Sequence, residues 1–218
     1  MLYALIASLL VAVVYIRFLR QMDVFEPEHW RYSVICFFLG VLGVGLVYPV
    51  YLYFPQIAAI PENGPLLVRL RYHMQAVASI EELVKILPFI LLLSRKHIIN
   101  ESFDYIKYAS VGAMGFAALE NVLYFNKSLH IIEQRAFYTA VMHMFTSSVI
   151  AYILYLSKRK WNLLPFIAFL PAYAVAVFCH GLFNALVSSQ ATYILGITQV
   201  ILMLLMWGRM MNNALNHS

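Results

Sequence analysis

Ala78-Ser-Ile-Glu81-Glu82-Leu-Val-Lys85-Ile-Leu-Pro88 sets three charged residues inside an apolar run that extends from Tyr72 to Leu93. A membrane-spanning helix needs roughly 20 apolar residues, and residues 86–93 alone are too few, so the charges lie within the span. Ionisable groups at that depth cost roughly 2.5–3.5 kcal/mol each on insertion scales, and they face a protein interior or a water cavity rather than lipid. On a helix Lys85 reaches Glu81 at i,i+4 or Glu82 at i,i+3. Pro88 has no amide to donate to the carbonyl of Val84, which predicts a kink or an opening beside the charges. Such a cluster is either a structural ion pair between packed helices or a functional site, and its depth favours the site.

Working outward, the composition sets the setting. Of 218 residues, 63% are apolar and 11% charged, which is a polytopic membrane protein and not a soluble domain. The net charge of +5 does not imply a nucleic-acid partner, because the basic residues sit in short loops between spans and read as topology signals. The first apolar segment has no basic flank and no small-residue cleavage site, so it reads as a retained anchor. Cys36 and Cys179 both fall mid-span, which implies neither a disulfide framework nor a cysteine metal site. No internal repeat or soluble domain interrupts the chain, and residues 1–218 read as one all-α transmembrane domain.

Hydropathy predicts about seven spans, at 2–19, 32–54, 72–93, 105–125, 136–156, 163–187 and 192–211. With the N-terminus outside, the inner loops hold Arg17, Arg20, Arg31, Arg95, Lys96, Lys107, Lys158, Arg159, Lys160 and Arg209, while the outer loops hold Arg69, Arg71, Lys127 and Arg135. That asymmetry predicts an N-out, C-in topology. Asp23, Glu26 and Glu28 around Pro27 read as a solvated connection. Pro55, Pro61, Gly64 and Pro65 break the loop from Pro55 to Arg71, as a flap over the cluster or as a connector.

Further polar residues recur in the later spans. The fourth carries Gly112, Ala113, Gly115 and Ala117, small enough for a neighbouring backbone to approach closely, and above them Glu120 and Asn121. The fifth carries His143 with Thr146 and Ser147 one turn on. The sixth carries His180 and Asn184 at i,i+4, with Pro165 near its start and Pro171 expected to kink it. Counted along alternating helices at 1.5 Å per residue, these groups fall within roughly 5–15 Å of the outer face. One layer, and one site open to the outside, is the expectation.

Two carboxylates, a Lys, a third carboxylate, two imidazoles and an amide contain what hydrolysis requires. A carboxylate takes a proton from water as the water attacks a carbonyl, and imidazole or amide groups stabilise the oxyanion. Two His and a Glu also compose a catalytic zinc set, although no H-E-x-x-H is present and each His comes from a different helix. A proton-coupled transporter or channel gathers the same residue types, but the odd span count without a repeat speaks against it.

Glu81-Glu82-x-x-Lys85, Gly115-Phe116-x-x-x-Glu120-Asn121, His143 alone in its span and His180-x-x-x-Asn184, in that order, resemble the PrsW family of intramembrane proteases, which is related to the CAAX prenyl protease and Abi superfamily. Glu26-Pro27 followed by Phe37-Phe38-Leu39-Gly40 extends the likeness over nearly the whole chain. The resemblance implies a glutamate-type protease of the bacterial plasma membrane that makes the first cut in a membrane-anchored anti-sigma factor during envelope stress; the residues predict no cofactor, with zinc as the alternative. By the same resemblance Glu81 and Glu82 form the general-base pair, and His143, His180 and Asn184 supply polarising or oxyanion groups. Lys85 stands where the CAAX branch has Arg at a slightly different spacing, and Glu120 where the wider superfamily commonly has His.

Overall fold

The computed structural model describes residues 2–25, 27, 29–58, 61, 63–93, 95, 97–124, 132–161 and 165–217. Helix α1 covers Leu2–Met22, α2 Trp30–Tyr53, α3 Pro55–Ala58, α4 Leu66–Tyr72, α5 Ser79–Lys85, α6 Leu87–Leu93, α7 Ser102–Tyr124, α8 Ile132–Leu156, α9 Pro165–Val187 and α10 Tyr193–Leu215. No strand occurs among the described residues, so the all-α expectation holds. Five helices are long and apolar enough to cross a bilayer, at Leu5–Met22, Trp30–Tyr53, Ala136–Arg159, Ile167–Val187 and Tyr193–Leu215.

The two remaining expected spans fall short of that test for physical reasons. Helix α7 has sufficient length, 23 residues, but carries Asp104, Lys107 and Glu120, all buried. It packs against α1, α2, α6, α8 and α10, so its solvent is protein rather than lipid. The span at 72–93 is not one helix. A π-helical turn, His73–Ala78, precedes α5, and a turn at Ile86 separates α5 from α6. The break lies two residues before Pro88, where the Ile86 amide bonds the Val84 carbonyl that Pro88 has no N–H to reach. Pro165 opens α9, while Pro171 lies inside that helix, which continues to Val187.

The small residues of α7 seat α2. A Cβ at Gly115 would overlap the carbonyl of Phe37, and one at Gly40 would overlap the carbonyl of Gly112. The two backbones therefore meet in both directions, as small-residue helix interfaces in membranes do. Around this seam lie a large apolar cluster with Leu19, Phe103, Ile106, Met114, Met144 and Ile150 fully buried, and a small one of Val47, Val84 and Phe116.

One connection departs from expectation. Asp23 is buried, not solvated, and its Oδ2 lies 2.8 Å from Lys107 Nζ. Lys107 also reaches Asp104 Oδ1 at 2.6 Å, and Asp104 Oδ2 accepts the amides of Asn100 and Glu101 at 3.2 and 3.0 Å. Lys107 is thus an internal counter-ion joining the end of α1 to the start of α7, not a loop charge, because an unpaired ion buried there would cost several kcal/mol. Glu26 and Glu28 lie outside the described residues. The Pro-rich loop is broken as expected, with Gly64 at φ 145°, but its second half is already helical. Within α4, Arg69 Nε donates to the Ala185 carbonyl at 3.2 Å and Arg69 Nη2 to Thr192 Oγ1 at 3.2 Å, which ties the loop to the α9–α10 turn.

Candidate active site

The acidic pair is aimed by the π-helical turn before it. In a π-helix the amide of residue i+5, not i+4, returns to the carbonyl of residue i, and the turn widens. Two tyrosines from other helices complete the local hydrogen bonding: Tyr51 on α2 donates to the Ala76 carbonyl at 2.6 Å, and Tyr173 on α9 donates to the Ser79 carbonyl at 2.5 Å. Met74 in the same turn packs on Gly181, where a Cβ would crowd the Met74 side chain and backbone. The missing side chain of Gly181 lets α9 close on this turn, which carries His180 against α5.

Glu82 is the hub. Its Oε1 accepts from Lys85 Nζ at 2.5 Å, His180 Nδ1 at 2.6 Å and Thr146 Oγ1 at 3.0 Å. Three donors from three helices thus converge on one oxygen of a carboxylate that has no exposed surface. Lys85 chooses the i,i+3 partner of the two that were open to it. Its ammonium also meets His143 Nδ1 at 2.6 Å and lies 5.8 Å from the centre of the Phe116 ring. On the far side of that imidazole, Nε2 lies 2.9 Å from Glu120 Oε2. The ammonium can only donate, so Nδ1 of His143 accepts and Nε2 carries the proton toward Glu120.

His180 shows the opposite polarity. Its Nδ1 faces the Glu82 carboxylate and carries the proton, which leaves Nε2 as the acceptor of the neutral ring. That Nε2 is buried without a hydrogen-bond partner among the described residues, 3.6 Å from Glu81 Oε2. The His143 and His180 rings stand edge to face with centroids 5.1 Å apart. Asn121, next to Glu120, accepts a bond from Thr139 at 3.1 Å and braces α7 on α8. Glu81, Glu82, Lys85, Glu120, His143 and His180 therefore form one buried cluster drawn from α5, α7, α8 and α9. Asn184 stands one turn beyond His180 on α9, half-buried, and its side chain bonds none of the cluster. Tyr51 and Tyr173 escaped the sequence reading, since a tyrosine inside an apolar span carries no mark distinguishing it from a packing residue.

Glu81, His143 and His180 each offer a ligand atom, and the three atoms lie within 4.8 Å of one another. His180 suits a metal: one nitrogen is held by a carboxylate and the other is unengaged. His143 does not, because Lys85 occupies Nδ1 and Glu120 occupies Nε2. A catalytic zinc keeps three protein ligands, and this arrangement leaves two. The donor set does not fit a metal while the Lys85 ammonium stands in it.

No curated protein and no solved structure matches this chain. A family model does, described as PrsW family intramembrane metalloprotease, over residues 28–209. That match runs from just before α2 to the last turns of α10 and takes in every residue of the buried cluster. The chain belongs to the PrsW family of intramembrane proteases.

Proposed function

We propose that this membrane-embedded protease hydrolyses its peptide bond with a water held between Glu81 and His180, and that Glu82 anchors the site without touching the substrate. The observation that carries the reading is that two buried acceptors, Glu81 Oε2 and His180 Nε2, face each other. Glu82 Oε1 is already saturated by three donors, whereas Glu81 Oε2 faces an acceptor nitrogen at 3.6 Å. A water placed beside that pair donates one proton to each and turns an oxygen lone pair outward, toward a carbonyl carbon.

As the carbon–oxygen bond forms, Glu81 takes the proton. The carbonyl becomes an oxyanion, for which the Asn184 amide, not engaged in the cluster, is the donor at hand. The carbon–nitrogen bond then breaks, and Glu81 returns the proton to the leaving amine. Lys85 balances Glu82, and Glu120 fixes the ring of His143 that caps Lys85. The family's description names a metalloprotease, but the ligand set does not suit one, and no step here is routed through a metal.

The substrate follows from the setting. A helix in lipid keeps its carbonyls in its own hydrogen bonds, so the scissile bond belongs to an unwound segment of a single-span protein, at or just beyond its membrane helix. With the N-terminus outside, the cluster lies in the outer half of the bilayer and the cut falls at the extracytoplasmic end. The family resemblance supports a membrane-anchored anti-sigma factor as substrate and the bacterial plasma membrane as location. Mapping new termini by mass spectrometry in membranes with and without Glu81→Gln tests this. One protein trimmed at its extracytoplasmic end only in the active strain is the expected result, and trimming at a cytoplasmic end contradicts it.

A further inference from the structure

The end of the bundle remote from the catalytic cluster holds a polar cavity. It measures about 650 Å3 and lies where α7 begins and α8 and α10 end, lined by Asn100, Tyr105, Tyr155, Lys158, Arg159 and His217 among others. At 1.5 Å per residue it stands roughly 18 Å along α8 from His143 and roughly 27 Å along α7 from Glu120, so it has no part in peptide hydrolysis.

Its chemistry is cationic. Lys158 and Arg159 are exposed, and neither has an ion-pair partner among the described residues. The nearby cation Lys107, in contrast, is consumed by Asp23 and Asp104. Glu101 lines the same cavity and offsets one of the two charges, which leaves a cationic excess. The backbone bearing Lys158 and Arg159 is itself unusual, a π-helical turn at Ser157–Trp161 that ends α8. Its first side chain folds inward, Ser157 Oγ donating to the Leu154 carbonyl at 2.8 Å, so the two basic residues that follow project from a fixed turn. Tyr105 and Tyr155, buried with ring centroids 5.4 Å apart, form a wall of the kind that sits at headgroup depth in membrane proteins. Exposed Arg20, Arg31, Arg95 and Arg209 surround the same end of the bundle.

We propose that this cavity binds a phosphate-bearing anion, in the membrane the headgroup of an anionic phospholipid. Basic pockets between membrane helices at a lipid interface take such headgroups. Its volume falls within the range of small-molecule sites, about 300–1,000 Å3. The phosphate lies between Lys158 and Arg159, with Asn100 as a neutral donor and the tyrosine pair against the glycerol.

The test uses the full-length protein in neutral-detergent micelles and native mass spectrometry, with phosphatidylglycerol, phosphatidylcholine and inorganic phosphate as probes. Phosphatidylglycerol is retained and phosphatidylcholine is not. The double change Lys158→Gln, Arg159→Gln weakens phosphatidylglycerol on the order of 10- to 30-fold, two surface cations each contributing to anionic-lipid attraction. Asn100→Glu, which adds a carboxylate to the wall at an exposed position, weakens it as well and guards against a folding defect in the double variant. The same loss on Arg17→Gln, Arg20→Gln would place the binding on the general basic collar and overturn the proposal. Displacement of the lipid by millimolar inorganic phosphate assigns the site to the phosphate group alone, and failure to displace assigns it to the lipid. Equal retention of phosphatidylcholine, or unchanged phosphatidylglycerol binding in the double variant, overturns the proposal.

Discussion

His180 Nδ1 lies 2.6 Å from Glu82 Oε1, although the two residues are 98 positions apart in the chain. This one bond orients the imidazole, sets its proton on the inner nitrogen and turns Nε2 toward Glu81. It also separates two adjacent glutamates into different tasks. They point from consecutive positions of one helix turn and meet opposite nitrogens of the same imidazole, Glu82 at Nδ1 and Glu81 near Nε2, while Thr146 of α8 adds a donor to Glu82.

Removing the charge of Lys85 follows from the same geometry. Lys85→Met leaves Glu82 buried without its counter-ion, and breaking a buried pair on one side costs roughly 3–5 kcal/mol. We expect a lower Tm with the chain still inserted, and a reduced cleavage rate. An unchanged Tm would show that the pair is not the anchor described.

The metal question has its own outcome. With Lys85 Nζ 2.6 Å from His143 Nδ1, the wild-type protein should keep its activity through exhaustive chelation, and elemental analysis should find no stoichiometric zinc. Lys85→Met frees the nitrogen, and that variant should take up zinc from solution. Activity lost to chelation and restored by zinc in the wild type would contradict the arrangement.

At the opposite end, Lys107 joins Asp23 and Asp104. Lys107→Met leaves two buried carboxylates facing each other and should destabilise the protein by roughly 3–5 kcal/mol. Asp23→Asn, which keeps the Lys107–Asp104 pair, should cost clearly less. Thermal unfolding in detergent reads both, and equal losses would dismiss the hierarchy.

Orientation is open to direct labelling. Single cysteines introduced as Asn63→Cys and Gln190→Cys should react with an impermeant reagent added to intact cells, and Asn216→Cys should not. The reverse pattern would invert the bundle and move the cut to the other face.

Much of this was legible in the chain, because the informative features are local or periodic. Pro88 after Lys85 announces the helix break, since a missing amide acts within one turn. Gly112 and Gly115 announce a close neighbour, because lipid gives no reason for missing side chains. Counting residues along alternating spans brings Glu82, Glu120, His143 and His180 to one depth, and the structure brings them into contact. What stayed hidden depends on partners distant in sequence. Nothing near Asp23 indicates that a lysine 84 positions away will bury it. Nor does a tyrosine on α2 advertise that it completes a π-helical turn on another helix. Lys85 could face either glutamate until α8 and α9 fixed which one, and that choice depends on tertiary packing.

The central claim is that Glu81 performs the proton transfer and Glu82 holds the site together. The decisive measurement is the cleavage rate of a reconstituted single-span substrate by Glu81→Gln and Glu82→Gln, each alongside its Tm. Glu81→Gln should lose at least ~10²-fold in rate, within the ~10²–10⁴ that a general base contributes, and lose less Tm than Glu82→Gln, whose Oε1 holds three donors. Glu82→Gln should lose rate and stability together, because Lys85 is left unpaired. Near-normal cleavage by Glu81→Gln would contradict the account.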